Sequence, residues 1–142
     1  MSLNLNLPKN QVIIIAGATS VGKSAVAQEV CNTIKNAEIV IADSVQVYRY
    51  LDIGSNKPTK EEMLEVPHHM VDLCDPSEVL STGDFSRRAA DIIHEILARN
   101  KVPVVVGGST MWIEVHYICY IYYTHYVQLH TMLNIHTIHT SG

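Results

Sequence analysis

One glycine-rich loop near the start of the sequence constrains this chain more than any other feature. The loop reads Gly17-Ala18-Thr19-Ser20-Val21-Gly22-Lys23-Ser24. It fits the pattern G-x-x-x-x-G-K-[ST], in which glycines let successive backbone N–H groups turn toward a phosphate group at a helix start. Apolar, β-branched residues 12–16 precede it and helix-forming residues 25–31 follow it, so the order is strand, loop, helix. The loop therefore predicts a phosphorylated ligand, either ATP or another diphosphate.

Two side chains of this loop carry specific chemistry. Lys23 can reach a terminal phosphate as a point charge. The hydroxyl of Ser24 is placed to ligate Mg²⁺, which makes Mg²⁺ the expected cofactor. The whole loop, residues 17–24, is a candidate ligand-binding site.

Composition and charge narrow the class of protein. The 142 residues suffice for one small domain. A net charge of −4 argues against a globally basic nucleic-acid binder, although it leaves room for a local basic groove. Three well-separated cysteines without a C-x-x-C pair predict free thiols in a reducing compartment. With no signal-like start and no membrane-length apolar run, we expect a monomer in the cytoplasm, with a mitochondrion or plastid as alternatives.

Two further apolar runs end in residues suited to a site. Residues 38–42 lead into Asp43-Ser44, and residues 102–106 lead into Gly107-Gly108-Ser109-Thr110. Right-handed crossovers can place the carboxyl ends of parallel strands at one sheet edge, where these loops would join the phosphate loop. The expected fold is therefore α/β, a parallel sheet with flanking helices of the phosphate-loop NTPase type. Asp43 is a candidate general base or metal ligand, or it only caps the following turn.

The segments between these strands hold less specific signals. Gln46 has an amide that can read the edge of a base, or it is an ordinary solvated side chain. Lys57 is either a surface lysine or a phosphate contact. The neighbouring residues His68 and His69 would point to opposite faces of a strand, which favours structural or substrate-shaping roles over metal binding.

Two helices are predicted in the same region. Residues 60–65 are short and charged and indicate a helical turn. A longer amphipathic helix ends near Asn100, and its start resembles a capping box in which Ser81 is the cap and Asp84 reaches back.

The end of the chain differs in character from the rest. Within residues 113–142, Glu114 is the only acidic or basic residue apart from histidine, and neither a helical nor an alternating period persists. We expect residues 1–112 to form the domain and residues 113–142 to be an atypical tail outside it. Translation of non-coding or frame-shifted sequence is our hypothesis for this tail, and a His-rich metal site is the alternative.

Taken together, these loops resemble those of the tRNA dimethylallyltransferases, also called tRNA isopentenyltransferases. The resemblance covers residues 10–112, and its motifs are the phosphate loop, Asp43-Ser44-Val45-Gln46-Val47-Tyr48, Leu51-Asp52-Ile53-Gly54-Ser55-Asn56-Lys57-Pro58-Thr59, Val66-Pro67-His68-His69 with Asp72, and Val102-Pro103-Val104-Val105-Val106-Gly107-Gly108. Family members continue well beyond this point, so the chain looks like the amino-terminal portion of such an enzyme.

The family transfers a dimethylallyl group from dimethylallyl diphosphate to N6 of an adenine beside the tRNA anticodon. The resemblance therefore implies tRNA and dimethylallyl diphosphate as partners, with the phosphate loop on the leaving group. It also implies that Asp43 accepts the amine proton, that Lys23 stabilises the diphosphate charge and that Thr19 lies near the reacting centre.

The resemblance also implies which residues contact tRNA. These are Asp43, Ser44, Val45, Gln46 and Ser109, and the family has a threonine at the position of Ser109. Three alternatives stay open: an adenylate isopentenyltransferase of cytokinin synthesis, a small-molecule kinase, and an inactive fragment. Residues 54–59 favour the tRNA branch over the adenylate branch.

Overall fold

The computed structural model describes residues 11–17, 22–108, 128–129 and 138–139. Four loop residues with predicted roles, Ala18, Thr19, Ser20 and Val21, lie outside this part, as does Ser109. The elements in chain order are β1 (Ile13–Ala16), α1 (Lys23–Ile34), β2 (Ala37–Ala42), α2 (Lys60–Glu65), β3 (His68–His69), α3 (Thr82–Ala98), β4 (Val102–Gly107), β5 (Gln128–Leu129) and β6 (Ile138–His139).

Strands β1 to β4 form one parallel sheet in the order β1-β4-β2-β3. The register places Ala16, Gly107 and Ala42 side by side, so β1, β4 and β2 end at the same level. The predicted α/β class is confirmed, and so is the meeting of the three loops at one sheet edge. Crossover helices connect the strands, which is what parallel pairing requires.

The sheet is apolar on both faces because a helix covers each of them. On one face, α3 packs its buried residues Phe85, Ala89, Ile93 and Ile96 against alternate strand residues such as Ile14 and Val40. On the other face, α1 packs Ala27 and Cys31 against the intervening residues, among them Ile15 and Ile39. Because successive side chains along each strand point to opposite faces, they pack into two separate hydrophobic cores.

The helix starts differ in how they are capped. A full capping box begins α2, where Thr59 accepts from the Glu62 N–H and Glu62 accepts from the Thr59 N–H. At α3 the Ser81 hydroxyl accepts from the Asp84 N–H at 3.1 Å, as predicted. Asp84 does reach back, but its carboxylate accepts from the Ser81 hydroxyl at 2.6 Å. The N-cap of α1 is Gly22, which has no side chain with which to cap the helix.

A buried glutamate near the start of β2, away from the loop edge, bonds to three residues outside that strand. The Glu38 side chain on β2 is only 3% exposed, and it accepts bonds from Lys101 at 2.8 Å and His69 at 2.6 Å. Arg99 adds two further bonds to both carboxylate oxygens. Hydrogen bonds from Arg99 dominate and hold the pKa of Glu38 far below its ordinary value despite burial. His69 therefore has a structural role here, which is one of the two roles that the sequence favoured over metal binding.

The other histidine of the pair also bonds to the protein itself. His68 Nδ1 lies 2.7 Å from the carbonyl oxygen of Val66. Burial lowers the pKa of His68 and so favours the neutral ring.

Little of the tail belongs to the described part of the chain. Residues 128–129 and 138–139 pair as antiparallel strands in a two-stranded sheet of their own. The expectation that residues 113–142 stand outside the fold stays a prediction. In the described segments, no helix is both long enough and apolar enough to cross a membrane.

Candidate functional site

An open cavity of about 560 Å³ lies at the edge where the three long strands end. It is lined by residues of all three strand-end loops and of the segment after β2: Gly22, Lys23, Ser24, Ile41, Asp43, Gln46, Ser55, Asn56, Lys57, Pro58, Thr59, Glu62, Val106, Gly107 and Gly108. The strand ends therefore bring the described phosphate-loop residues, Asp43 and Gln46 to one place.

The described part of the phosphate loop comprises Gly17 and the start of α1. Gly22 has a φ of 90°, in the left-handed region that glycine adopts without a steric penalty. Lys23 is the first residue of α1, and its ammonium donates to the carbonyl of Gly17 at 2.9 Å. Ser24 follows in the first helical turn, exposed at the cavity. Gly22, Lys23 and Ser24 all line the cavity, so the positive end of the α1 dipole lies at the cavity.

Asp43 caps a turn with one of its two carboxylate oxygens. Its Oδ1 accepts from the N–H groups of Val45 at 2.8 Å and Gln46 at 3.1 Å. The predicted capping of the turn is therefore present, but whether Asp43 only caps stays open with the base and metal-ligand alternatives. These two bonds fix the carboxylate at the cavity wall and do not involve Oδ2, so the base role stays a prediction.

Gln46 is buried, and the interpretation as a solvated surface amide is wrong. The residue is 7% exposed, and its Nε2 donates to the backbone carbonyl of Asn56 at 3.3 Å. Its Oε1 is buried without a hydrogen-bond partner in the described structure. An unpaired buried acceptor costs free energy of about 1–3 kcal/mol.

The other two described residues predicted to contact tRNA lie elsewhere. Ser44 lines a separate recess of about 90 Å³ with Tyr48, Leu80 and Phe85 among its walls. Val45 is 45% exposed and is absent from the lining of the main cavity.

Lys57 fits neither of the two interpretations that the sequence left open. Its side chain is only 8% exposed, so it is not a surface lysine. The ammonium donates to the Tyr48 carbonyl at 2.7 Å, to Asp52 at 2.8 Å and to Asp72 at 2.6 Å. A lysine has three donors, and these acceptors use all three, which leaves none for a phosphate.

The charge state of Lys57 follows from the same contacts. Burial alone would lower the pKa of Lys57, but the hydrogen bonds to Asp52 and Asp72 outweigh it and leave the pKa raised. The contacts with Asp52 and Asp72 were not predicted. The only sequence signal was that all three residues belong to the motifs that carry the resemblance.

The two glycines after β4 have different roles. A Cβ on Gly107 would lie 2.6 Å from the Ala42 carbonyl oxygen and 2.8 Å from the Ala42 Cβ, so only glycine fits between the strands. A Cβ on Gly108 would meet nothing within 4 Å among the described residues. Gly108 lines the cavity, so a side chain there would occupy cavity space.

Few side chains in the described part of the chain are placed to bind a metal ion. Among the described residues, no three histidine, cysteine or acidic side chains cluster at a metal-binding distance. The Ser24 hydroxyl and the Asp43 carboxylate do line the same cavity. Such a sparse set of oxygen donors suits Mg²⁺, which binds through few protein ligands together with water and substrate phosphates.

Comparison with known proteins identifies a family and several relatives. A family model described as IPP transferase matches residues 46–121. A tRNA dimethylallyltransferase of Caldanaerobacter subterraneus subsp. tengcongensis is 45% identical over 104 residues, which are 73% of this chain and 33% of that protein.

Two solved structures share the fold. A full-length tRNA isopentenylpyrophosphate transferase from Bacillus halodurans aligns with a TM-score of 0.68 at 42% identity, over 74% of this chain and 34% of that one. A eukaryotic dimethylallyltransferase acting on tRNA aligns with a TM-score of 0.68 at 36% identity, over 75% and 26% of the two chains. The chain thus spans about a third of the length of the curated relatives that it matches.

Proposed function

Because this chain belongs to the IPP transferase family, we propose that it transfers a dimethylallyl group from dimethylallyl diphosphate to N6 of an adenine beside the tRNA anticodon. One observation carries the proposal. A single cavity is lined by Lys23 and Ser24 at the start of α1 and by two residues whose side chains carry acceptor oxygens, Asp43 and Gln46. The helix start suits a negatively charged diphosphate leaving group, and the acceptor residues suit an amine that donates hydrogen bonds.

On the donor side, charge stabilisation is the main chemistry. As the bond between carbon and diphosphate oxygen breaks, negative charge grows on the leaving group. The first-turn N–H groups of α1 and the ammonium of Lys23 offset that charge. Ser24 would hold a Mg²⁺ ion that contributes further positive charge there. Thr19 is proposed to lie near the reacting carbon, on the evidence of the resemblance alone.

On the acceptor side, the chain must orient the amine and take its proton. The adenine amine is a poor nucleophile because its lone pair is delocalised into the ring. The nitrogen forms a bond to the dimethylallyl carbon, the bond from that carbon to the diphosphate breaks, and the excess N–H proton passes to Asp43. Positioned carboxylates contribute rate factors of about 10²–10⁴ in this way.

The remaining contacts with RNA rest on the resemblance. Ser44 and Val45 are proposed to touch nucleotides beside the target base, since both lie in the segment that leads to Gln46. Ser109 is proposed to supply a hydroxyl on the opposite side. A tRNA substrate would place the protein where tRNA occurs, in the cytoplasm or in an organelle.

An experiment with competing acceptors tests the proposal. The full chain is incubated with Mg²⁺, labelled dimethylallyl diphosphate and either an adenine-containing anticodon stem-loop RNA or adenosine monophosphate. Label on the RNA is the expected result, and an RNA with guanine at the target position is the control. Label on the mononucleotide alone would favour the adenylate branch. Phosphate transfer from labelled ATP to a small acceptor would identify a kinase, and no transfer to any acceptor would contradict the proposal.

A further inference from the structure

One wall of the cavity is a segment with little hydrophobic packing of its own. This wall segment, residues 51–65, contributes a run of loop residues and one residue of α2 to the cavity lining: Ser55, Asn56, Lys57, Pro58, Thr59 and Glu62. Within residues 51–65, all of which the structure describes, Ser55 is the only buried residue, and the apolar side chains of Leu51, Ile53 and Leu64 are exposed. Segments with few buried apolar contacts open locally at a low cost in free energy. Polar contacts must therefore hold the wall segment in place.

Lys57 joins the wall segment to two other parts of the chain. Its buried ammonium donates to the Tyr48 carbonyl at 2.7 Å and to the Asp72 carboxylate at 2.6 Å, and both of these residues lie outside the segment. Its third bond, to the Asp52 carboxylate at 2.8 Å, stays inside the segment. Two of the three bonds therefore anchor the wall segment, whereas the third does not.

Two weaker contacts also reach the wall segment. The Gln46 side chain donates to the Asn56 carbonyl at 3.3 Å, and the Gln28 side chain donates to the Glu65 carboxylate at 3.2 Å. Both bonds are longer than those of Lys57, and the second is exposed to water, which competes for the same groups. Lys57, by contrast, is buried and pairs its charge with a carboxylate, which makes a stronger bond.

The anchor at Asp72 belongs to the same bonded network as Asp43. The backbone N–H of Asp72 donates to the Gln46 carbonyl at 3.1 Å, and the backbone N–H of Gln46 donates to the Asp43 carboxylate at 3.1 Å. Asp43 lines the cavity together with Lys23. Through these bonds, Lys57 ties the wall segment to the backbone that holds the Asp43 carboxylate.

We propose that Lys57 is a positioning residue, which anchors residues 51–65 as a wall of the cavity and thereby raises the affinity of the site for its diphosphate donor. All three of its ammonium N–H groups are used within the protein, so the lysine acts through the wall segment. Without the anchor, only those molecules whose wall segment is in position bind the donor, and the affinity falls by that fraction. The inference rests on the proposed function, because the donor is dimethylallyl diphosphate.

Hydrogen exchange followed by mass spectrometry tests the anchor on the full chain without any ligand. Lys57→Met removes the ammonium with little change of length, and the protected amides of residues 51–65 should then exchange at least about tenfold faster than in the wild type. The amides of α3 are the internal reference and should change by less than about twofold. Lys60→Met removes an exposed lysine from the same segment and should leave both rates unchanged.

Calorimetry with dimethylallyl diphosphate and Mg²⁺ tests the consequence for binding. If the wall segment is in position in about a tenth of the Lys57→Met molecules, the donor affinity should fall about tenfold. Urea unfolding is measured in parallel. A merely structural role would lower the free energy of unfolding and speed exchange in α3 as well as in the wall segment.

Two aspartates supply a matched pair of variants. Asp72→Asn and Asp52→Asn each remove one carboxylate charge that faces Lys57, but only the first weakens a bond that leaves the wall segment. Asp72→Asn should therefore speed exchange of residues 51–65 and weaken donor binding by at least about threefold, whereas Asp52→Asn should change either by less than about twofold. Asp72→Asn also serves if Lys57→Met fails to fold.

The combined results distinguish the possible outcomes. Faster exchange confined to the wall segment in Lys57→Met and Asp72→Asn, together with weaker donor binding, supports the positioning role. Unchanged exchange or unchanged donor affinity in these variants, equal effects of the two aspartate variants, or equally fast exchange in α3 would overturn it and leave the proposed function intact. No donor binding by the wild-type chain would overturn the proposed function, and hydrogen exchange would still decide whether Lys57 anchors the wall.

Discussion

Removing the buried charge of Glu38 should destabilise the fold in a pH-dependent way. Its carboxylate accepts from Arg99, Lys101 and His69 in a site that is 3% exposed. Loss of one partner from a buried pair costs about 3–5 kcal/mol when the remaining charge stays buried. Here Arg99 and Lys101 are 46% and 36% exposed, so both can turn to water. For Glu38→Gln, which keeps the shape and one acceptor, we therefore expect about 2–3 kcal/mol.

The pH dependence follows from the lowered pKa of Glu38. In the unfolded chain a glutamate titrates near about 4.3. Between that value and the lower folded pKa, the unfolded state binds more protons than the folded state. The contribution of Glu38 to stability is therefore complete above the unfolded pKa and is lost progressively as the pH falls below it. Glu38→Gln should lack this part of the acid destabilisation.

Urea unfolding followed by circular dichroism at pH 7 and pH 4 measures both effects. Glu29→Gln on the exposed surface of α1 is the matched control and should change the free energy of unfolding by less than about 0.5 kcal/mol. If Glu38→Gln were as mild as Glu29→Gln, or if its stability fell between pH 7 and pH 4 as steeply as that of the wild type, the assignment of a buried ion-pair network would be refuted.

Four further predictions concern the site and the tail. Lys23→Ala should weaken dimethylallyl diphosphate binding in calorimetry, because it removes a charge-assisted contact, and equal affinity would contradict a diphosphate site there. Asp43→Asn should slow single-turnover transfer by about 10²–10⁴ with donor affinity nearly intact, whereas lost donor affinity with unchanged chemistry would place Asp43 on the metal. Gly107→Ala should lower the stability of the chain against urea, because the new Cβ would clash with Ala42. Gly108→Ala should fold normally and weaken donor binding, and equal stability of the two variants would refute the distinction. Deleting residues 114–142 should leave solubility equal or better, and a sharp loss of folded protein would show that the tail packs on the domain.

Local patterns in the sequence were enough to predict the architecture of the sheet. Apolar runs, a glycine loop and helix starts are properties of neighbouring residues, and chirality then limits how parallel strands connect. That reasoning correctly placed the ends of β1, β2 and β4 together and brought Lys23, Ser24 and Asp43 to one edge. The turn-capping bonds of Asp43 were likewise foreseeable, because an aspartate bonds to N–H groups only two or three residues on.

The environment of individual polar side chains was decided only by tertiary structure. For Gln46 the sequence left a solvated surface amide as the commoner outcome, but the residue is buried and bonds to a carbonyl ten residues away. Glu38 finds Arg99 across 61 residues, and Lys57 finds Asp72 across 15. No periodic pattern in the sequence predicts such pairs. Each pair forms only because the fold brings together two segments that are distant in the sequence. The burial that results then decides whether a polar group is solvated, paired or, like the Gln46 oxygen among the described residues, buried without a partner.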